Sequence, residues 1–501
     1  MLDNILHLLT YNPEEPLIFS SGLFLFLFLG FSLVYMLLQH QLTLRLLFVT
    51  AFSYYFYYKS SGFYFGLLAV VTVCDFLIAN KIAAIKQQDN QAGNHKTSDR
   101  RSKYLVALSL LIDLGLLAYF KYTNFFAGML AQMIGANFQP WDIFLPVGIS
   151  FFTFQSMSYV IDVYRGDLKP LPSLLDYAFY VSFFPQLVAG PIVRARDFAP
   201  QIWKPLRVTD EMFARGVYFI VIGLFKKAVI SDYISLNFVD RIFDNPSLYS
   251  GVENLLGIYG YSMQIYCDFS GYSDMAIGIA LLLGFRFPMN FNAPFRADSI
   301  TDYWRRWHIS LSSWIRDYIY ISLGGNRKGK FRQYINLVIT MLLGGLWHGA
   351  SLNFVAWGGL QGIALAIHKW LRENVFHHDR HYVSRGVRKF FAVLLTFHFV
   401  CFGWLLFRNP TFDVSWLQFR QIIGDFHPEL FTQVITGYWE VFAIMLFGYV
   451  THFLPDSWQE SLIGLLRRGG VMLGALALVV VIYIVIQIKS SEIQPFIYFQ
   501  F

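Results

Sequence analysis

The chain has 501 residues, of which 56% are hydrophobic, 19% aromatic and 14% charged, with a formal net charge of +7. A soluble globular domain carries about 25% charged residues; the deficit here runs along the whole chain and excludes an ordinary soluble enzyme. In so apolar a chain the positive balance fits basic cytoplasmic loops better than a nucleic-acid partner.

A hydrocarbon core about 30 Å thick asks for roughly 20 apolar residues per spanning helix. Apolar runs lie near 17–38, 42–58, 62–84, 104–127, 143–163, 174–193, 213–235, 255–285, 333–371 (long enough for two), 390–407, 439–454 and 471–489. They are continuous rather than alternating, so they read as helices and not as strands of a membrane barrel. The expected fold is all-α, a single polytopic membrane domain over 1–501 with about 11–13 transmembrane and re-entrant helices. The run from Leu17 follows an acidic head (Asp3, Glu14, Glu15) with no basic segment and no small-residue cleavage site, so it reads as a retained first span. Cys74, Cys267 and Cys401 all fall in apolar segments, which argues against a disulfide framework and against a Cys/His zinc site. Residues 87–99 form a polar linker, and no internal repeat is visible.

Basic residues orient the spans. Lys86 to Lys103, Arg286 to Arg332 and 377–389 mark cytoplasmic loops, whereas 1–16, 128–142 and 236–254 are acidic or nearly uncharged and fit the opposite side. Segment 174–193 conflicts with a simple crossing. It has Arg165 and Lys169 before it and Arg194, Arg196, Lys204 and Arg207 after it. A re-entrant hairpin broken at Phe184-Pro185 or Gly190-Pro191 resolves the conflict. Irregular backbone at membrane depth is tolerated only inside protein or beside water, and the expectation is a wet cavity there.

Segment 302–320 reads as one amphipathic helix. Trp304, Trp307, Leu311, Trp314, Ile315 and Tyr318 make its apolar stripe, and Asp302, Arg306, Ser310, Ser313 and Asp317 lie opposite, with His308 at the stripe's edge. Such a helix either anchors at the lipid interface or caps a cytoplasm-facing cavity in which its arginines meet an anionic substrate. Further on, Gly345-Leu-Trp-His348-Gly349 sets an imidazole inside an apolar run. A buried histidine bonded to a carbonyl is one reading. The flanking glycines, which admit a ligand or another backbone, and the nearby Ser351 and Asn353 favour a neutral imidazole serving as a base. Lys226, Lys227, Asp232, Gln264, Tyr266, Asp268, Ser270, Tyr272 and Asp274 also interrupt apolar runs, which suits either a lined passage or interhelical hydrogen bonds. No phosphate-cradling P-loop, H-E-x-x-H, G-x-S-x-G or paired CxxC occurs.

Taken together, Ser158–Arg165, Phe183–Arg194, Asp268–Ala276, Trp304–Leu311 and Gly345–Gly349, in this order, resemble the membrane-bound O-acyltransferase superfamily, closest to the bacterial branch that alginate O-acetyltransferases typify. Over a core at 143–371 the resemblance implies a ring of helices around a central tunnel. It also implies His348 as the family's invariant histidine and His308 as its upstream partner. The implied donor is a cytoplasmic thioester, acetyl-CoA or an acyl-carrier protein, with no metal. Arg305, Arg306, Arg316, Trp304 and Trp307 are then candidates for donor binding, and Asp268, Ser270, Tyr272 and Asn353 for lining the tunnel. The implied product is an O-acetylated exopolysaccharide or cell-wall glycan outside the inner membrane, made with a separate extracytoplasmic acetyltransferase. D-alanyl, lipid or protein acyl transfer within the superfamily, and transport of lipid-linked sugars, are the alternatives. The C-terminal aromatic run reads as an interface anchor, or as a tail whose Tyr498 relays the acyl group.

Overall fold

The computed structural model describes residues 7–13, 15–91, 95–377 and 384–488, and all regular structure among them is helical. Tyr498 lies outside the described residues. Four helical stretches are long and apolar enough to cross a membrane, Leu42–Gln88, Asp99–Met133, Gly386–Arg408 and Asp456–Ile488, or five with the bent pair Pro428–Gly437 and Trp439–Phe453. The chain is a polytopic all-α membrane protein. It divides into two compact units, one of 1–219 with 275–288 and one of 220–274 with 289–501.

The first unit holds α1 (Gly22–Leu37), α2 (Leu42–Ser61), α3 (Phe65–Gln91), α4 (His95–Leu117), α5 (Ile149–Arg165), α6 (Leu174–Ser182) and α7 (Ala195–Ile202). The segment expected to be re-entrant is broken, as its flanking charges require. Ser173 caps α6 by accepting from the Asp176 N–H at 3.1 Å, and Phe183 leaves helical geometry with ψ 109°. A single turn, Phe184–Leu187, follows with proline in its first positions. The ring of Phe184 is surrounded by Phe31, Phe52 and Phe56 at 5.4, 5.1 and 5.8 Å. At Gly190 a Cβ would sit 2.6 Å from the Gln186 Cα, so only glycine lets the chain fold back there. The expected wet cavity is replaced by packed protein. Every residue of 181–195 is buried, and the loosened backbone is satisfied internally. The Phe184 N–H donates to Ser53 Oγ at 3.1 Å, Gln186 Nε2 to the Tyr180 carbonyl at 2.6 Å, and Tyr180 OH to the Val193 carbonyl at 2.9 Å.

The helix that opens as α8 (Asp210–Leu224) enters the second unit at Ile220 and runs on through two π-helical stretches, Phe225–Ser231 and Ser235–Val239. The first of them carries the lysines that interrupt this apolar run. Lys227 Nζ lies 2.6 Å from Asp268 and 2.8 Å from Asp232, and Lys226 lies 2.7 Å from Asp274. Asp268 and Asp274 are on α9 (Gly251–Leu282), so these charges are spent on tying the two helices together. α8 and α9 come close enough for this because a Cβ at Gly271 would sit 2.7 Å from the Gly223 carbonyl oxygen.

The rest of the second unit comprises α10 (Ile300–Arg306), α11 (Ile309–Ile315), α12 (Lys330–His348), α13 (Leu352–Trp370), α14 (Gly386–Arg408), α15 (Phe412–Gly424), α16 (Trp439–Phe453) and α17 (Asp456–Ile488), which kinks at Gly470. α12 and α13 form an antiparallel hairpin turning at Gly349–Ser351. A Cβ at Gly345 would fall 2.1 Å from the Phe354 carbonyl oxygen, and one at Gly358 would fall 2.3 Å from that of Met341. Gly345 therefore admits the facing helix backbone, not a ligand, while a Cβ at Gly344 would meet the Ile315 side chain at 3.4 Å.

Candidate active site

His308 and His348 both belong to the second unit. The segment expected as one helix over 302–320 is broken exactly where His308 stands. α10 ends at Arg306, Trp307 is extended, and His308 adopts φ 44° and ψ 55° before α11 begins. This left-handed conformation is uncommon for a residue with a side chain. The loop residues 290–292 hold it in place: Ile309 N–H donates to the Asn290 carbonyl at 2.9 Å, and Asn292 N–H to the Arg306 carbonyl at 2.9 Å. The Asn290 side chain accepts from Ser310 Oγ at 2.8 Å and donates to Ser273 Oγ at 3.0 Å. The apolar stripe of the segment is buried as its spacing required: Trp307, Leu311, Trp314 and Ile315 have almost no exposure.

His348 closes α12 and is held by rings. Trp347, Trp357 and Phe407 lie 5.0, 5.3 and 5.2 Å from its imidazole, the Trp357 contact edge-on at 89°. The His308 ring packs edge-on against Phe269 at 4.6 Å and lies 6.1 Å from Trp347. Trp347 is thus a neighbour of both imidazoles, which are near enough to interact electrostatically. Both are buried, His308 at 0% and His348 at 3% exposure.

A cavity of about 780 Å³ is walled by Trp304, Arg305, Ile309, Arg316, Lys369 and Arg372, among others; neither histidine lines it. Its wall includes Ile309, the residue after His308, and Met341, seven positions before His348 on α12; at 1.5 Å per helical residue that is about 10 Å along the axis. Of the five residues expected to bind a donor, Trp304, Arg305 and Arg316 line this cavity. The other two do not. Arg306 pairs with Asp302 at 2.7 Å, and Trp307 stacks on Tyr303 at 5.7 Å with 1% exposure. Arg316 is held by Asp317 at 2.7 Å. Lys369 and Arg372 escape sequence reasoning because they stand more than fifty positions from Arg316. The signal available was their placement in and just beyond the last turn of α13. Glu373, 2.7 Å from Lys369, has its carboxyl held below the usual range by that lysine's hydrogen bond.

The four residues expected to line a tunnel have other surroundings. Asp268 is ion-paired with Lys227. Asn353 donates to the Asn409 carbonyl at 2.9 Å, and Ser270 and Tyr272 are buried on α9. None of the four lines the cavity. Among the described residues no group of three or more His, Cys, Asp or Glu side chains could hold a metal ion.

The model of the membrane-bound O-acyltransferase family matches residues 52–368, more than half of the chain and both histidines. The chain belongs to that family. It is similar to a probable alginate O-acetylase of Azotobacter vinelandii, 43% identical over 412 residues covering 81% of this chain and 78% of the relative. It is 37% identical to a probable alginate O-acetylase of Pseudomonas putida over 510 residues, covering 97% of this chain and all of the relative. With a peptidoglycan O-acetyltransferase of Helicobacter pylori it shares 36% identity over 440 residues, covering 81% and 80%. The protein is accordingly a membrane O-acyltransferase, which sets aside the transporter reading of its sequence.

Proposed function

We propose that this O-acyltransferase takes an acetyl group from a cytoplasmic thioester, acetyl-CoA or an acyl-carrier protein, and passes it outward for O-acetylation of an exopolysaccharide or cell-wall glycan. The observation that carries the reading is two buried imidazoles that share Trp347 as a neighbour, together with a basic cavity whose wall includes Ile309, the residue after His308. Arg305, Arg316, Lys369 and Arg372 offer the planar forks and ammonium that suit the phosphates of CoA or of a carrier's phosphopantetheine. The basic loop 327–332 next to this wall supports a cytoplasmic opening.

A thioester is already activated, so the protein has to place an acceptor hydroxyl against the carbonyl and remove its proton. His348 takes that proton as the oxygen–carbon bond forms, the carbon–sulfur bond breaks, and the thiolate leaves to be protonated. His308 orients the thioester or relays the proton. The acceptor glycan, the inner-membrane location and a separate extracytoplasmic acetyltransferase partner belong to this proposal. The acceptor rests on what the relatives' names say of those proteins, and the location and partner on the sequence's resemblance to the bacterial branch of the family.

The test is CoA release by purified protein given acetyl-CoA and an acceptor. General-base help is typically worth about 10²–10⁴-fold, and His348→Ala loses that factor in kcat with its unfolding temperature retained. An unaltered rate refutes the assignment.

A further inference from the structure

Helix α15 presents three distinct faces. Ser415, Gln418 and Ile422 are buried. About a third of a turn away at 100° per residue, Phe412, Trp416 and Ile423 point outward with 58%, 52% and 67% exposure, at spacings that keep them on one line. Beyond that line, Asp413 and Arg420 make a polar edge, also exposed. The buried face is pinned: Ser415 Oγ donates to the Leu405 carbonyl at 2.8 Å, and Asn409 Nδ2 donates to Gln418 Oε1 at 2.9 Å.

The neighbouring helices say what covers the outward rings. α14 has 23 residues, about 34 Å at 1.5 Å per residue, enough to cross a core of about 30 Å. It starts beside the basic Arg385–Lys389 and so ends on the extracytoplasmic side, where α15 begins four residues later. After α15 the chain follows Pro428–Gly437, which meets the apolar Trp439–Phe453 at 92°. If the latter stands across the bilayer, the former lies in its plane. Phe431 and Trp439 at the two ends of this elbow are 51% and 64% exposed. A helix between two spans, with one face on protein, one aromatic and one charged, suits the headgroup boundary, where tryptophan concentrates.

We infer that 412–437 is an interfacial elbow seated in the extracytoplasmic leaflet, with Phe412, Trp416 and Ile423 in lipid and Asp413 and Arg420 in water. The occupant of this surface is the bilayer, not a second protein. Seated so, α15 also sets the depth of Asn353, which donates to Ser415 Oγ at 3.4 Å and stands five positions beyond His348.

Spin labels decide the matter. Full-length protein with Cys74→Ser is labelled at Trp416→Cys, Ile423→Cys, Asp413→Cys or Arg420→Cys and reconstituted in phosphatidylethanolamine–phosphatidylglycerol vesicles. Labels at 416 and 423 should collide preferentially with oxygen, and those at 413 and 420 with a water-soluble nickel chelate. Nickel access at all four positions puts the helix in water and overturns the inference. Labels at 416 and 423 immobile and closed to both reagents mean a protein covers them, which overturns it too. Position 423 carries the result alone if Trp416→Cys does not fold. None of these measurements uses the acyl donor, so they stand or fall apart from the acyl-transfer reading.

Discussion

The two imidazoles are held by opposite devices. His308 occupies a left-handed kink, and the polar stretch 290–292 fixes it through backbone and Asn290 hydrogen bonds. His348 ends a regular helix and is fixed by the glycine-tight α12–α13 hairpin and by aromatic rings. One is positioned by directional bonds, the other by volume. A polar network fails when a single partner is lost, whereas a packed hairpin fails when it is forced apart. Mutations on the two sides should therefore leave different signatures.

The largest effect is expected at Gly345. Its added methyl would sit 2.1 Å from a backbone oxygen that cannot yield without moving α13. Gly345→Ala should destabilise by about 3 kcal/mol or more, at the upper end for overpacking. Thermal unfolding in detergent should fall together with acyl transfer, because His348 moves with the helix end. An unchanged unfolding temperature would show that the hairpin is not what seats this ring.

Asn290→Ala comes next. It strips the acceptor from Ser310 and the donor to Ser273 inside a buried site, a loss of about 1–3 kcal/mol. Its kcat should drop more than its stability does, with KM for the donor little changed, since the cavity wall is untouched. Steady-state kinetics that show only a KM change would contradict the positioning role.

The smallest effects belong to the cavity, where cations are partly solvated. Arg372→Gln or Arg305→Gln should raise donor KM up to about fivefold, the range of an exposed ion pair, with kcat retained. Glu373→Gln should act in the opposite sense by releasing Lys369 from its carboxylate. Equal KM values across these variants would remove the phosphate-binding assignment.

Much of the frame was legible because hydropathy reads membrane helices directly. The 333–371 run became α12 and α13, and 390–407 and 439–454 became α14 and α16 within a few residues. The charge conflict around 174–193 correctly demanded a break. What periodicity could not see was a local conformation. The apolar stripe of 302–320 continues through Trp307 and His308 as though the helix did, because the stripe records burial and not φ. The partner that forces the kink, Asn290, lies upstream in a loop that is mostly apolar, Phe285 to Ala293. The glycines near His348 announced a close approach without saying of what, and the facing backbone took the space. Arg306 and Arg305 are adjacent, yet only Arg305 reaches the cavity. Both stand on α10, about 100° apart around its axis, and Arg306 turns back to Asp302. α15 was missed because a helix with three faces has no single apolar period.

The most direct test of the central claim is a double-mutant cycle on acyl transfer with His308→Asn, a residue that tolerates the left-handed backbone, and His348→Ala. If the two rings act as one catalytic unit, the double variant should be within about threefold of His348→Ala alone, as grossly non-additive sites behave. Losses that multiply would mean that the histidines act independently, and the paired site described here would be wrong.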